Sequence, residues 1–198
     1  MDNKLDNINY FDITVAGCKR SLPLCNINES LQIAAFIMFG DVEITEKAAC
    51  ELLKKCPDFE ILVTAESKGI PICYEMARQS NSDYIVARKS QKLYMKNPVS
   101  VDVKSITTAV MQKLYLSQEE FKKIENKKIL LVDDVISTGK SIAALEELVR
   151  KAKGNIVGKA CVLAEGEAAQ RKDIIFLEPL PIFPTKSKSI SNGHNLKT

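Results

Sequence analysis

Residues 129–141 read ILLVDDVISTGKS, an apolar run ending in two adjacent carboxylates, Asp133 and Asp134, followed by Ser137, Thr138, Gly139, Lys140 and Ser141. Ligands of an open α/β sheet bind beyond the carboxyl ends of its strands, so strand, loop and helix in this order gather two anions and a helix N-terminus round one crevice. Backbone N–H groups at the helix start, with the hydroxyls of Thr138 and Ser141, can cradle a phosphate, and Gly139 lets the backbone come close to it. Two carboxylates beside a phosphate would only repel it. They make sense if they accept hydrogen bonds from sugar hydroxyls, or hold Mg²⁺, close to that phosphate. The competing GxxxxGKS loop of nucleoside triphosphate enzymes needs a glycine where Asp134 stands. Either half of the string alone is what any strand end or helix cap uses; the combination points to a ligand.

Two further segments could complete such a site. The loop AESKG, Ala65, Glu66, Ser67, Lys68 and Gly69, follows the apolar run EILVT and precedes a helical pattern. Its amides at 66–69 and the Lys68 ammonium can meet an anion at a helix start, although a plain βα turn would look similar. The stretch ARKSQKLYMK carries Arg88, Lys89, Lys92 and Lys96 with no acidic residue between 88 and 101. A solvated basic loop is the plain reading; a cationic wall over a second anion is the other. No covalent nucleophile stands out, because the cysteines lie mainly in apolar contexts.

The elements that must position these loops follow from the hydrophobic pattern. Apolar runs at 60–64, 83–88, 128–134 and 155–164, with a possible fifth at 174–178, alternate with helical patterns at 69–80 and 139–153. That alternation predicts a mostly parallel sheet covered on both faces, with its loops on one edge. In the second helix Ile142, Leu145, Leu148, Val149 and Ala152 share one face, which predicts packing on the sheet. Residues 1–45 form a separate region of short apolar runs expected to cover one end of the sheet. The interval 89–126 has a weak pattern and is expected to be a long excursion acting as a mobile lid. Residues 185–198 are polar and expected to be a disordered tail.

At 198 residues and 45% hydrophobic content, the chain is sized for one domain, 1–184, plus that tail. A net charge of +3 provides no broad basic surface, so nucleic acid is not an expected partner and any anion site must be local. The six cysteines contain no CxxC pair and His194 is the one histidine, which argues against zinc and against a disulfide framework. A reducing, cytoplasmic setting is expected. The N-terminal MDNKLDNINY lacks an apolar signal core, and no eighteen-residue apolar run suggests a membrane span.

ILLVDDVISTGKS resembles the phosphoribosyl-pyrophosphate signature of type I phosphoribosyltransferases. The resemblance implies that fold, with a small hood from the N-terminal region and the C-terminal strand, and a flexible catalytic loop. It implies that Asp133 and Asp134 hold the ribose 2′- and 3′-hydroxyls and act with Mg²⁺ directly or through the substrate. Ser137, Thr138, Gly139, Lys140 and Ser141 would hold the 5′-phosphate. AESKG resembles the family's pyrophosphate loop, which often contains a non-proline cis peptide. ARKSQK is similar to its catalytic loop, in which Arg88, Lys89 and Lys92 would neutralise departing pyrophosphate and Tyr94 would help fasten the lid. The substrates implied are phosphoribosyl pyrophosphate and a purine base, and a homodimer is implied as well.

For the base, FLEPLPIF and FGDVEIT are similar to segments of adenine phosphoribosyltransferases, making Phe39 a candidate to stack on the base, with a place in the core as the plainer expectation. Those enzymes carry a glutamate in the mobile loop where this chain has Thr107 and Thr108, so xanthine and hypoxanthine/guanine branches stay open beside adenine. A regulator that senses phosphoribosyl pyrophosphate without turnover is the reading from another class.

Overall fold

The computed structural model describes residues 9–103 and 112–185. Five parallel strands form its centre, in the order β10-β9-β8-β4-β5: β4 (Ile61–Ala65), β5 (Asp83–Ala87), β8 (Lys128–Ile136), β9 (Asn155–Glu165) and β10 (Ile175–Leu180). Alternation along each strand sends neighbouring side chains to opposite faces. Ile61, Val63, Ile129 and Leu131 face one core; Leu62, Leu130 and Val132 face the other. Both faces are buried, which is why these strands read as continuous apolar runs.

On one face lies α4 (Lys140–Lys151), packing Ile142, Leu145, Leu148 and Val149 against the sheet, the same face its sequence period predicts. On the other lie α1 (Val42–Leu53) and α2 (Ile70–Ser80), burying Ile44, Ala48, Leu52, Ile72 and Met76. Helix α1 starts inside the predicted N-terminal region of 1–45 and runs past its end, and it has a simple cause: the Asp41 carboxylate caps it by accepting from the Ile44 N–H at 3.3 Å. Arg20 holds that carboxylate at 2.6 Å.

The hood is a four-stranded sheet of β1 (Tyr10–Val15), β2 (Cys18–Asn26), β3 (Leu31–Ala34) and β11 (Ile182–Pro184), in that order. FLEPLPIF, expected to be a single strand, splits at Pro181: residues before it extend β10 at the sheet edge, and residues after it pair with β3, Ile182 opposite Ile33. Pro179 sits in the edge strand, where a missing N–H costs little. Thr185 is tied to Ser30 and Glu29, so the described start of the tail belongs to the hood.

The interval 89–126 differs from expectation. Its described residues form an antiparallel pair, β6 (Val99–Val103) and β7 (Gln112–Leu116), and a helix, α3 (Gln118–Ile124). Ser117 and Glu120 make a reciprocal capping box at the start of α3, a local signal that the hydrophobic pattern alone does not carry. Thr107 and Thr108 and the tail from 186 onward lie outside the described residues. No helix among the described residues is long and apolar enough to cross a membrane.

Candidate functional site

The carboxyl ends of β4, β5 and β8 are neighbours, so the three predicted loops meet on one edge. At the end of β8, Asp134 is 3% exposed and Asp133 is half-buried. Asp133 Oδ1 accepts from the Asp134 N–H at 2.9 Å. Burial pushes the Asp133 carboxyl well above the usual carboxylate range, and the neighbouring Asp134 charge pushes it further, while Lys68 pulls it partly back. The Lys68 ammonium, from the β4 loop, lies 3.4 Å from Asp134 Oδ2.

The β4 loop is held against β8 by shape. Gly69 is buried, and a Cβ there would come within 2.5 Å of Thr64 Oγ1 and 2.9 Å of Asp133 Oδ1. No side chain fits at this position unless the acidic pair shifts. The Glu66–Ser67 peptide is cis. The Glu66 carboxylate reaches the basic segment, accepting from the Lys89 N–H at 2.9 Å and standing 3.5 Å from Lys92 Nζ. That amide bond, and then Lys92, hold the Glu66 carboxyl below its usual range. Arg88 continues β5 and exchanges backbone hydrogen bonds with Tyr115 at 2.8 and 2.9 Å, fastening β7 to the sheet edge.

The loop after β8 encloses a cavity of about 120 Å³ lined by Asp133, Val135, Ile136, Ser137, Thr138, Gly139, Lys140, Ser141 and Ile142. Gly139 adopts φ 76 and begins α4, a left-handed turn that costs glycine little. Four α-helices are described, and their starts fall into two kinds. Helices α1 and α3 are capped by Asp41 and Ser117. Helices α2 and α4 begin at Gly69 and Gly139 with no side-chain cap. Both uncapped starts are at the crevice; the first N–H groups of α4 can serve an incoming anion, whereas in α2 the Ile70 N–H donates to the Ser67 carbonyl at 3.2 Å and Pro71 has no N–H to offer.

Three buried side-chain polar atoms among the described residues lack a hydrogen-bond partner, Thr64 Oγ1, Arg88 Nε and Asp134 Oδ2, the last of them facing the Lys68 ammonium at 3.4 Å. All three lie at the ends of β4, β5 and β8, where the predicted loops converge. Buried polar groups are nearly always hydrogen-bonded, so three without such a bond at one edge single it out as the candidate site. Thr64 escaped the sequence reading because a threonine inside an apolar strand carries no signal of its own.

Residues 43–187 match the family described as the phosphoribosyl transferase domain. The chain belongs to that family. Among curated phosphoribosyltransferase relatives, a hypoxanthine/guanine phosphoribosyltransferase of Methanocaldococcus jannaschii is 33% identical over 116 residues, 57% of this chain and 60% of its own length. An adenine phosphoribosyltransferase of Petrotoga mobilis is 34% identical over 118 residues, 59% of this chain and 64% of its own. The purine biosynthesis transcriptional repressor PurR of Bacillus subtilis is 27% identical over 145 residues, 71% of this chain and 50% of its own. The chain thus spans half to under two thirds of the length of these relatives. Among solved structures, adenine phosphoribosyltransferase from Thermoanaerobacter pseudethanolicus shares the fold with a TM-score of 0.61 and 18% identity, over 86% of this chain and 95% of that one.

Within this phosphoribosyl transferase fold, the structure brings Asp133, Asp134, Ala65–Gly69, Arg88, Lys89 and Lys92 to one edge, with Ser137–Ser141 beside them. Two of the sequence candidates fall elsewhere in character. Phe39 is 53% exposed, contrary to the expectation of a core residue; its neighbours Phe36 and Met38 fill the core instead. Tyr94 is 69% exposed.

Proposed function

We propose that this protein transfers the phosphoribosyl group of phosphoribosyl pyrophosphate to a ring nitrogen of a purine base, adenine first, releasing pyrophosphate. The observation that carries this reading is the set of orphaned polar atoms, Thr64 Oγ1, Arg88 Nε and Asp134 Oδ2, around one crevice. An acidic pair suits the ribose hydroxyls, and the uncapped start of α4 suits the 5′-phosphate. The loop before α2, with Lys68 and Arg88, suits the pyrophosphate.

In the reaction, the C1–O bond to pyrophosphate breaks as the base nitrogen forms its bond to C1, through a transition state with oxocarbenium character. Negative charge grows on the leaving group, so cations fixed beside it lower the barrier most. Arg88, Lys89 and Lys92 supply them, and Glu66 keeps the Lys89 amide and the Lys92 ammonium next to the β4 loop while the site is empty. Asp133 and Asp134 hold the sugar. The buried Asp134 carboxylate beside that of Asp133 fits Mg²⁺, which prefers oxygen ligands and completes its shell with substrate phosphates, with Lys68, now 3.4 Å from Asp134 Oδ2, turning to the phosphates. When bound, the ion would neutralise charge on the departing pyrophosphate.

Adenine and hypoxanthine/guanine enzymes both stand among the relatives, and the base is the finer part of the proposal. Incubating the protein with Mg²⁺, phosphoribosyl pyrophosphate and adenine, hypoxanthine, guanine or xanthine in turn should yield a nucleotide, fastest with adenine. A product from another base alone would move the assignment to that branch. The likeness to PurR favours one second reading, a sensor that binds phosphoribosyl pyrophosphate without turning it over; binding with no product from any base would establish it.

A further inference from the structure

Beside the start of α4, outside the three loops, stands a charged cluster that the reaction as described does not use. Arg171 follows the short 3-10 turn Gly166–Gln170, and its guanidinium is committed on one edge. Nε donates to Asp173 Oδ1 at 2.9 Å and Nη2 to Asp173 Oδ2 at 2.8 Å. Asp173 is itself anchored by Lys159 at 2.5 Å, and Lys159 by Glu146 of α4 at 2.8 Å. Glu146 also pairs with Arg150 at 2.6 Å. The remaining guanidinium nitrogen, Nη1, faces Gly139: a Cβ on that glycine would stand 2.6 Å from it.

The pair with Asp173 holds the Arg171 guanidinium at a place where the helix alone would disfavour it. The first turn of α4 presents the positive end of the helix dipole, which disfavours a cation beside it. The cluster itself sets three cations, Arg150, Lys159 and Arg171, against two carboxylates, Glu146 and Asp173. Arg150 lies in the last turn of α4, so what the cluster presents at the helix start is the Nη1 edge of Arg171, beside a first turn that already attracts anions. The fork geometry of arginine suits the purpose, since one edge can stay bidentate on a carboxylate while the other donates to a phosphate.

We propose that Arg171 is a ligand of the 5′-phosphate, reaching it through Nη1 alongside the loop Ser137–Ser141, with Asp173 as the positioning residue that aims it. The inference rests on the phosphoribosyl reading of the loop. Glu146 and Lys159 act one step further out, fixing Asp173 to α4.

The test is equilibrium binding of ribose 5-phosphate and, separately, of inorganic pyrophosphate to the full chain by calorimetry. Arg171→Gln should weaken ribose 5-phosphate about 10- to 100-fold, the range for losing a charge-assisted hydrogen bond, and leave pyrophosphate unchanged. Asp173→Asn should weaken the same ligand by a smaller factor, and Arg171→Lys should recover part of the loss. Equal weakening of both ligands, or none, would overturn the assignment and leave Arg171 as a brace between α4 and the segment before β10. Wild-type protein that binds pyrophosphate but not ribose 5-phosphate would overturn the phosphoribosyl reading itself, a failure visible before any variant is made.

Discussion

Asp133 is a carboxyl group whose position costs the fold stability at neutral pH. Its carboxyl is held above the ordinary range by burial and by Asp134, so between about pH 4, the unfolded value, and its folded value the native protein keeps a proton that the unfolded chain gives up. Stability from this group is therefore complete below pH 4 and is lost as pH rises through the folded value. Asp133→Asn does not titrate. In metal-free, ligand-free buffer the variant should exceed the wild type in stability at pH 8 by on the order of 1 kcal/mol, the usual scale when a functional strain is relieved. That advantage should fade as the pH falls to 4. Denaturant melts across this range measure it, and a gap that stays constant with pH would show that Asp133 is not raised. Gly69 belongs to the same arrangement, since its missing Cβ is the space that lets Thr64 and Asp133 approach one another.

At the scale of elements, the contrast between capped and uncapped helices organises the site. Helices α1 and α3 satisfy their own first turns through Asp41 and Ser117, whereas α4 has no side-chain cap and α2 relies on the Ser67 carbonyl and on Pro71, which has no N–H to satisfy. The segment after β5 is the third wall, clasped by Glu66. If Lys92 meets the leaving pyrophosphate, Lys92→Ala should lower kcat on the order of 100-fold with little change in KM, as for removal of one donor aimed at developing charge. An unaltered kcat in steady-state assays would return that segment to solvated surface. The strands and loops of this half were legible because their signals are local: ILLVDD and EILVT are apolar runs that end in loop chemistry, and Ile142, Leu145 and Leu148 repeat at helical spacing. Helix α1 and the pair β6 and β7 were missed, as their stretches mix short apolar runs with polar residues and depend on partners elsewhere.

At the scale of the whole molecule, the parallel sheet carries the loops of the candidate site, and the hood is a separate sheet closed by long-range pairing. Strand β11 closes a sheet whose other strands lie some 150 residues earlier, as Ile182 opposite Ile33 shows. No periodicity in the sequence announces such a pairing, because its determinants are split between the two ends of the chain. For the same reason Phe39 was expected in the core, while the residues that fill it there are Phe36 and Met38. The three orphaned polar atoms were equally hidden, since burial without a partner exists only after β4, β5 and β8 are brought together. The role of that edge is measured by the initial rate of purine-dependent pyrophosphate release from phosphoribosyl pyrophosphate and Mg²⁺, for the wild type and for the Asp133→Asn, Asp134→Asn double variant. Release should require the purine in the wild type and be abolished in a double variant that still folds; equal rates in the two proteins would remove the acidic pair from the site.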